Sequence, residues 1–464
     1  MRIWKKLIGD KAFYKLALGV AVPMMIQNGI TNFVGLLDNI MIGRVGTEQM
    51  SGVAIVNQLL FVFNLAIFGA IAGPGIFSAQ FYGCNDQKGV RQTFRFKLYI
   101  CATILLAGIL VLFFFGENLI LMYLHGEENV QALEAALKYG KEYLLVMLFG
   151  LLPFAVEQIY SSTLRECGET MLPMKAGILA VFLNLFLNYL LIFGNFGFPE
   201  LGVTGAAIAT VISRYVQTAV VVIWTHTHCE RMPFIKGAYK ELRIPGDLAG
   251  KMLIKGTPLM INEIMWSVGM ATLMQCYSTR GLDAVAGLNI SSTISNLFNV
   301  AFIAMGSAIA IIVGQQLGAG KLEEAKDTDI KLIAFSVLSC FAIGAVMMVL
   351  APLFPMLYNC TQEVKDLATI FIRICAGCMP IFAFAHAAYF TLRSGGKTIV
   401  TFLFDSVFMW CLVIPLAYIL SRFTGISVVY LYLACQLMDL IKCAIGFVLL
   451  KKGTWIQNIV KTEG

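Results

Sequence analysis

Charge is what this chain lacks first. Asp, Glu, Lys and Arg make up 13% of its 464 residues, against about 25% in a soluble domain. So few polar groups do not cover a water-facing surface, which excludes a soluble globular protein. Histidine is also scarce, with four residues. The twelve cysteines are scattered, and Cys101, Cys276, Cys340 and Cys411 fall inside apolar runs. Cys375 and Cys378 stand three apart, but also inside such a run. No Cys/His spacing points to a metal, and the cysteines read as small apolar filling. There is no Gly-x-x-x-x-Gly-Lys-Ser/Thr to cradle ATP. Segments of about ten residues with alternating polarity, the mark of a membrane barrel, are missing too. The loops carry no convincing pair of acids or histidines, so an enzyme is not expected.

Apolar sequence takes the place of charge, at 59% of the chain. Runs long enough to cross a bilayer, about 20 residues each, recur twelve times. They lie near 16–42, 51–76, 98–116, 143–164, 174–194, 203–225, 256–278, 286–313, 332–352, 367–392, 398–420 and 426–450. Lipid offers no partner for backbone N–H and C=O groups, so such spans are helices. The fold class is an all-α membrane protein of twelve transmembrane helices.

Those helices form a duplicated unit. Residues 18–93 are read again at 253–328, with Pro23, Gly46, Gly52, Asn64, Gln80, Gly83 and Thr93 meeting Pro258, Gly281, Gly287, Asn299, Gln315, Gly318 and Thr328. At an offset of 228, Thr163-Leu164-Arg165, Gly168 and Thr170 recur as Thr391-Leu392-Arg393, Gly396 and Thr398. Six spans per half give two parallel repeats, an arrangement found in transporters. The expected boundaries are an N-terminal bundle over 1–225, a cytoplasmic linker over 226–255 and a C-terminal bundle over 256–464.

Lys and Arg set the orientation. With the N-terminus inside, twenty-five fall on the cytoplasmic side, including Arg2, Lys5, Lys6 and Lys461, and seven on the other. This split puts both termini in the cytoplasm. It also accounts for the net charge of +7, so nucleic acid is not an expected partner. No cleavable signal peptide is expected, since Asp38 and Arg44 stand where small residues should follow the first run. The basic loops after spans 2 and 8 read as short amphipathic surface helices. The acidic stretch 117–142 has a helical pattern. Pro23, Pro153, Pro258 and Pro380 interrupt the first and fourth spans of each half, and Pro23 and Pro258 are candidate hinges.

An ionisable group inside a span costs about 2.5–3.5 kcal/mol on insertion scales. Asp38 sits in span 1. Asn184 and Asn188 share one face of span 5, and Thr210 lies in span 6. The repeat is an internal control: Asp38, Asn184 and Asn188 align with Leu273, Leu412 and Leu416. Packing alone explains this asymmetry poorly, and a coupling-ion site explains it better. A carboxylate, two amides and a hydroxyl offer hard oxygen ligands to a small cation. Alternatively Asp38 takes a proton, since burial disfavours its charged form. The plainer reading puts Asp38 at a span end, capping a loop or paired with Arg44. Glu263, Asn57, Asn64 and Met41 are candidates to line a substrate cavity, which the 34 Phe and 22 Met also suit. Asp405, Asp439 and His386 fall within spans without an assigned role.

These residues resemble the multidrug and toxic compound extrusion (MATE) family. The motifs are Pro23 with Asp38-x-x-Met41-x-Gly43-Arg44-x-Gly46, Gln80-x-x-Gly83 and Leu164-Arg165-x-x-Gly168-x-Thr170-x-x-Pro173-Met174. To these are added Asn184-Leu185-x-Leu187-Asn188-Tyr189 and the run through Gly202-Val203-x-Gly205-Ala206-Ala207-Ile208-Ala209-Thr210. The resemblance implies two six-helix bundles forming a V around a cavity. It further implies export of organic cations or drugs from the cytoplasmic membrane, driven by Na⁺ or H⁺. It places the coupling ion at Asp38, Asn184, Asn188 and Thr210. Asn188 departs from the family, many of whose members have a second Asp there. Another branch uses acids in helices 7 and 10, but here span 10 holds His386 and no acid. A monomer working in lipid is expected, with no cofactor and no metal beyond Na⁺ at Asp38. The alternative is a lipid-intermediate flippase of the same wider group, which would want more Arg and Lys inside its spans.

Overall fold

The computed structural model describes residues 7–124, 130–241, 243–358 and 360–460. Arg2, Lys5, Lys6, Lys461 and part of the acidic stretch 117–142 lie outside them. The described chain is helical, without strands. We label α1 Lys11–Gly43, α2 Thr47–Gly83, α3 Gln87–Tyr123, α4 Val130–Phe149, α5 Leu151–Glu166, α6 Met171–Leu191 and α7 Gly202–Thr227. The second repeat holds α8 Gly246–Ser278, α9 Leu282–Gly318, α10 Leu322–Leu350, α11 Gln362–Ser394, α12 Thr398–Phe423 and α13 Val428–Lys452. Ten of these are long and apolar enough to cross a membrane, and the pair α4 and α5 makes an eleventh. The helix not among them, α8, carries Asp247, Lys251, Lys255 and Glu263 along its 33 residues.

The fourth span is bent by 45° between α4 and α5. Proline clashes with the carbonyl four residues before it. Pro153 therefore strikes Phe149, where α4 ends. Pro380 in α11 leaves that helix unbroken. The basic loops also differ from expectation. The turn between α2 and α3 is three residues long, and so is that between α9 and α10. Their charged residues open α3 and α10 rather than forming separate surface helices.

The duplication is written into the backbone. After α5, Gly168 turns left-handed (φ 83°), Gly168 N–H donates to Arg165 O at 2.9 Å and Glu169 N–H to Leu164 O at 2.8 Å. After α11, Gly396 does the same (φ 72°), with Gly396 N–H to Arg393 O at 2.9 Å and Lys397 N–H to Leu392 O at 3.1 Å. Both are glycine-closed helix ends. The Gln-x-x-Gly motifs of the two repeats pack on each other. A Cβ on Gly83 would collide with the Gln315 carbonyl, and one on Gly318 with the Gln80 carbonyl. Glycine allows this close helix crossing. The tail ties in there: Gln80 Nε2 donates to Ser394 O at 3.0 Å, and Ile459 N–H donates to Gln80 Oε1 at 2.8 Å.

Two compact units emerge. One comprises Met1–Met25, Ala79–Asp86 and Leu253–Gly464, the other Ile26–Ser78 and Gln87–Met252. These units and the sequence repeats are different partitions, because α1 contributes to both units. In the first unit, Ala17, Val20, Ala21 and Met24 of α1 join a core with Met305, Ile309 and Ile312 of α9. In the second, the segment after α7 is docked. Phe234 is fully buried, Arg91 Nε donates to its carbonyl at 2.9 Å, and Arg95 Nε donates to Ala238 O at 2.7 Å.

Candidate functional site

Three helices bring the sequence-predicted polar residues of the first repeat together. Asp38 comes from near the end of α1, Asn184 and Asn188 from one face of α6, and Thr210 from α7. Asn188 Nδ2 donates to Asp38 Oδ1 at 2.7 Å and to Asn184 Oδ1 at 3.2 Å. Asn184 Nδ2 donates to Thr210 Oγ1 at 3.2 Å, and that hydroxyl donates to Ala206 O at 3.0 Å. Asn188 is 1% exposed and Asn184 7%. Both protons of the Asn188 amide are used, yet its oxygen is buried without a hydrogen-bond partner. A buried unpaired acceptor costs about 1–3 kcal/mol. Asp38 makes no ion pair among the described residues, and Arg44 is exposed.

The cavity candidates are more dispersed. Asn57 accepts from the buried Tyr143 hydroxyl at 3.3 Å. Asn64 Oδ1 is buried without a partner. Met41 is part-buried. Glu263 belongs to the other compact unit, where Arg393 and Asp405 act on it. A cavity of about 390 Å³ lies in that unit, and none of these four residues lines it. Pro23 and Pro258 lie inside unbroken helices.

Several buried charges escaped the sequence reading. Lys97, fully buried, donates to Glu166 Oε2 at 2.6 Å, Ser162 Oγ at 3.0 Å and Thr163 Oγ1 at 3.1 Å. Glu157, 3% exposed, accepts from Ser161 Oγ at 2.5 Å and lies in the field of Arg165 and Arg214. In the second repeat, Asp329 accepts from Thr391 Oγ1 at 2.6 Å. Asp405, already placed inside a span by the sequence, has partners the sequence did not show: it accepts from Lys442 Nζ at 2.5 Å and from Asn262 Nδ2 at 3.0 Å. The signal was present for Glu157, an acid inside the fourth span, and for two cations. Assigning Lys and Arg to loops leaves out only Arg214 and Lys442, which fall inside spans.

The MatE family model matches residues 23–190 and again 258–419. The chain belongs to the MatE family. The two matches start at Pro23 and Pro258, the register in which the repeat shows in the sequence. This is a family of multi-pass membrane transporters. The chain is 24% identical over 452 residues to the probable multidrug resistance protein NorM of Thermotoga maritima, covering 97% of this chain and 94% of that protein. It is 25% identical over 413 residues to the probable multidrug resistance protein YoeA of Bacillus subtilis, at 88% and 87% coverage. Among solved structures, it is similar to an outward-facing multidrug resistance MATE family transporter (TM-score 0.85, 19% identity, 97% and 98% covered). It is also similar to a MOP superfamily transporter from Pyrococcus furiosus (TM-score 0.84, 19% identity, 97% and 98% covered). At these identities the structures show the shared two-lobe repeat fold.

Proposed function

We propose that this chain is an antiporter of the cytoplasmic membrane that exports amphipathic organic cations or drugs in exchange for inward Na⁺ or H⁺, with both termini in the cytoplasm. The multidrug resistance names of its relatives support the substrate class. The observation that carries the coupling is the Asn188 amide. Its nitrogen faces Asp38 while its oxygen is buried and unsatisfied. That is the orientation a bare carboxylate demands, since it only accepts. Once Asp38 holds Na⁺ or a proton, it calls for an oxygen instead. The oxygens of Asp38, Asn184, Asn188 and Thr210 fit a small hard cation of this kind. Binding then removes a buried charge and reverses the preferred amide orientation, so α1, α6 and α7 find a different packing cheapest.

Pro23 supports a bend in α1. Residues up to Met25 belong to one compact unit and those from Ile26 to the other, so the helix changes partners two residues after the proline. Pro258 is the equivalent position in α8. The test is dye efflux from proteoliposomes containing purified protein, under an imposed Na⁺ gradient or an imposed pH gradient. Efflux driven by one of them names the ion. Folded protein that moves a panel of cationic dyes under neither gradient refutes the proposal.

A further inference from the structure

The cavity of about 390 Å³ lies wholly within the compact unit built from the second repeat. Its size falls in the range of small-molecule sites. Trp266, Met270, Met274, Tyr277, Phe408 and Tyr432 give it aromatic and thioether walls, and Asp405, Asp439 and Lys442 make one side polar.

That polar side is built with care. From Leu403 to Val407 and from Met409 to Val413, α12 winds as a π-helix, a form that clusters at functional sites. Widening the helix frees backbone groups, and Asn262 of α8, 2% exposed, takes one of them. Its Oδ1 accepts from Ser406 N–H at 3.2 Å and from Ser406 Oγ at 2.6 Å. Its Nδ2 donates to Asp405 Oδ2. Asp405 is therefore fixed on one oxygen by Asn262 and on the other by Lys442. The Asp405 and Lys442 side chains keep 21% and 14% exposure. Asp439 lies three residues before Lys442 on α13 and makes no ion pair among the described residues. Two carboxylates and one ammonium leave the cavity one negative charge in excess. Glu263 and Arg393, nearby but not lining it, offset each other.

We infer that this cavity binds one flat aromatic monocation, anchored on Asp405 and stacked on the aromatic walls, and that Lys442 is a tethered counter-ion which the ligand displaces toward Asp439. One excess carboxylate matches one positive charge, and aromatic faces attract organic cations. Lys442 already rests 5.4 Å from the Phe404 ring centre. When the cavity is empty, the ammonium keeps Asp405 paired. When it is filled, Asp439 receives the ammonium one helical turn away. The inference places the substrate of the proposed export and rests on that reading for the ligand class.

The test is equilibrium binding of ethidium, a flat aromatic monocation, to purified protein in detergent with no gradient, read by fluorescence anisotropy. Lys442→Met removes the internal competitor and should tighten binding by about tenfold or more, whereas Asp405→Asn should weaken it by a similar factor. Equilibrium binding needs no gradient and no coupling ion, so failure here and failure of gradient-driven efflux are read in separate assays. Folded Lys442→Met protein that binds ethidium equally or more weakly overturns the inference. If that variant does not fold, Asp439→Asn decides. It breaks no ion pair, and it should weaken binding several-fold because Lys442 loses its second partner. Unchanged affinity in Asp439→Asn also overturns it.

Discussion

Asp38→Asn separates the coupling site from the scaffold that carries it. In the fold, Asp38 Oδ1 accepts one hydrogen bond from Asn188 at 2.7 Å. An amide in its place can offer an oxygen to the same donor, so only the difference between a charged and a neutral acceptor is lost, about 1 kcal/mol. The effect on a bound ion is larger. A carboxylate 4 Å from a monovalent cation attracts it by about 4 kcal/mol at an effective dielectric of about 20. That is about a thousandfold in affinity. Thermal unfolding in detergent, with Na⁺ replacing choline at constant ionic strength, reads this directly. An ion at 100 times its Kd stabilises the fold by about 2.7 kcal/mol. The parent should gain that stability with the coupling ion. The variant should unfold near the ion-free parent, gain nothing, and show no gradient-driven efflux. A folded variant that is still stabilised by the ion, or still exports dye down the imposed gradient, refutes the assignment of Asp38.

Further outcomes follow from other contacts. Asn188→Asp sets a second carboxylate against Asp38. Two such groups do not both ionise at hydrogen-bond distance, so the variant should gain more stability from Na⁺ or from acid than the parent does in the same unfolding assay. Lys97→Met strands Glu166 without its ammonium and should cost about 3–5 kcal/mol of stability. Adding Glu166→Gln should recover most of it, as melting temperatures will show. Gly318→Ala drives a methyl group into the Gln80 carbonyl and should destabilise by roughly 1–3 kcal/mol, whereas Gly250→Ala, which meets no atom within 4 Å on an ordinary helical backbone, should cost less.

The helices and the repeat were legible because lipid leaves few options: an apolar run of sufficient length becomes a helix, and a duplicated glycine keeps its geometry. Gly168 and Gly396 illustrate this, as do Gly83 and Gly318. The Asp38 cluster was legible because polar residues in a span are costly enough to stand out. Lys97 was not, because a lysine after a basic loop looks like a solvated anchor, and only the fold shows Glu166 reaching it. Glu157 did carry the signal, an acid inside a span, but only the fold shows Ser161 and Gln158 bonding it in the field of Arg165 and Arg214. The π-helical stretch of α12 has no local signature at all. It depends on Asn262, more than 140 residues away, accepting the Ser406 N–H.

The two repeats share a frame but not a chemistry. The offsets of 235 and 228 pair Gln27 with Asn262, Gly177 with Asp405, and Arg214 with Lys442. In each repeat the amide on the first helix meets the same position. Gln27 lies 3.3 Å from where a Cβ of Gly177 would be, and Asn262 bonds Asp405 at 3.0 Å. One contact thus faces a bare glycine in the first half and a carboxylate in the second. Conversely, Asp38 has its equivalent in Leu273, which lines the cavity of the second half. If donors rather than the frame make an ion site, then Leu273→Asp should not create a second one. The amides that serve Asp38 are replaced there by Leu412 and Leu416, so the new carboxylate would be buried unpaired at a cost of several kcal/mol. The expected result is a lower melting temperature with unchanged ion stoichiometry. A stable variant that binds a second Na⁺ would show that the helical frame alone is sufficient.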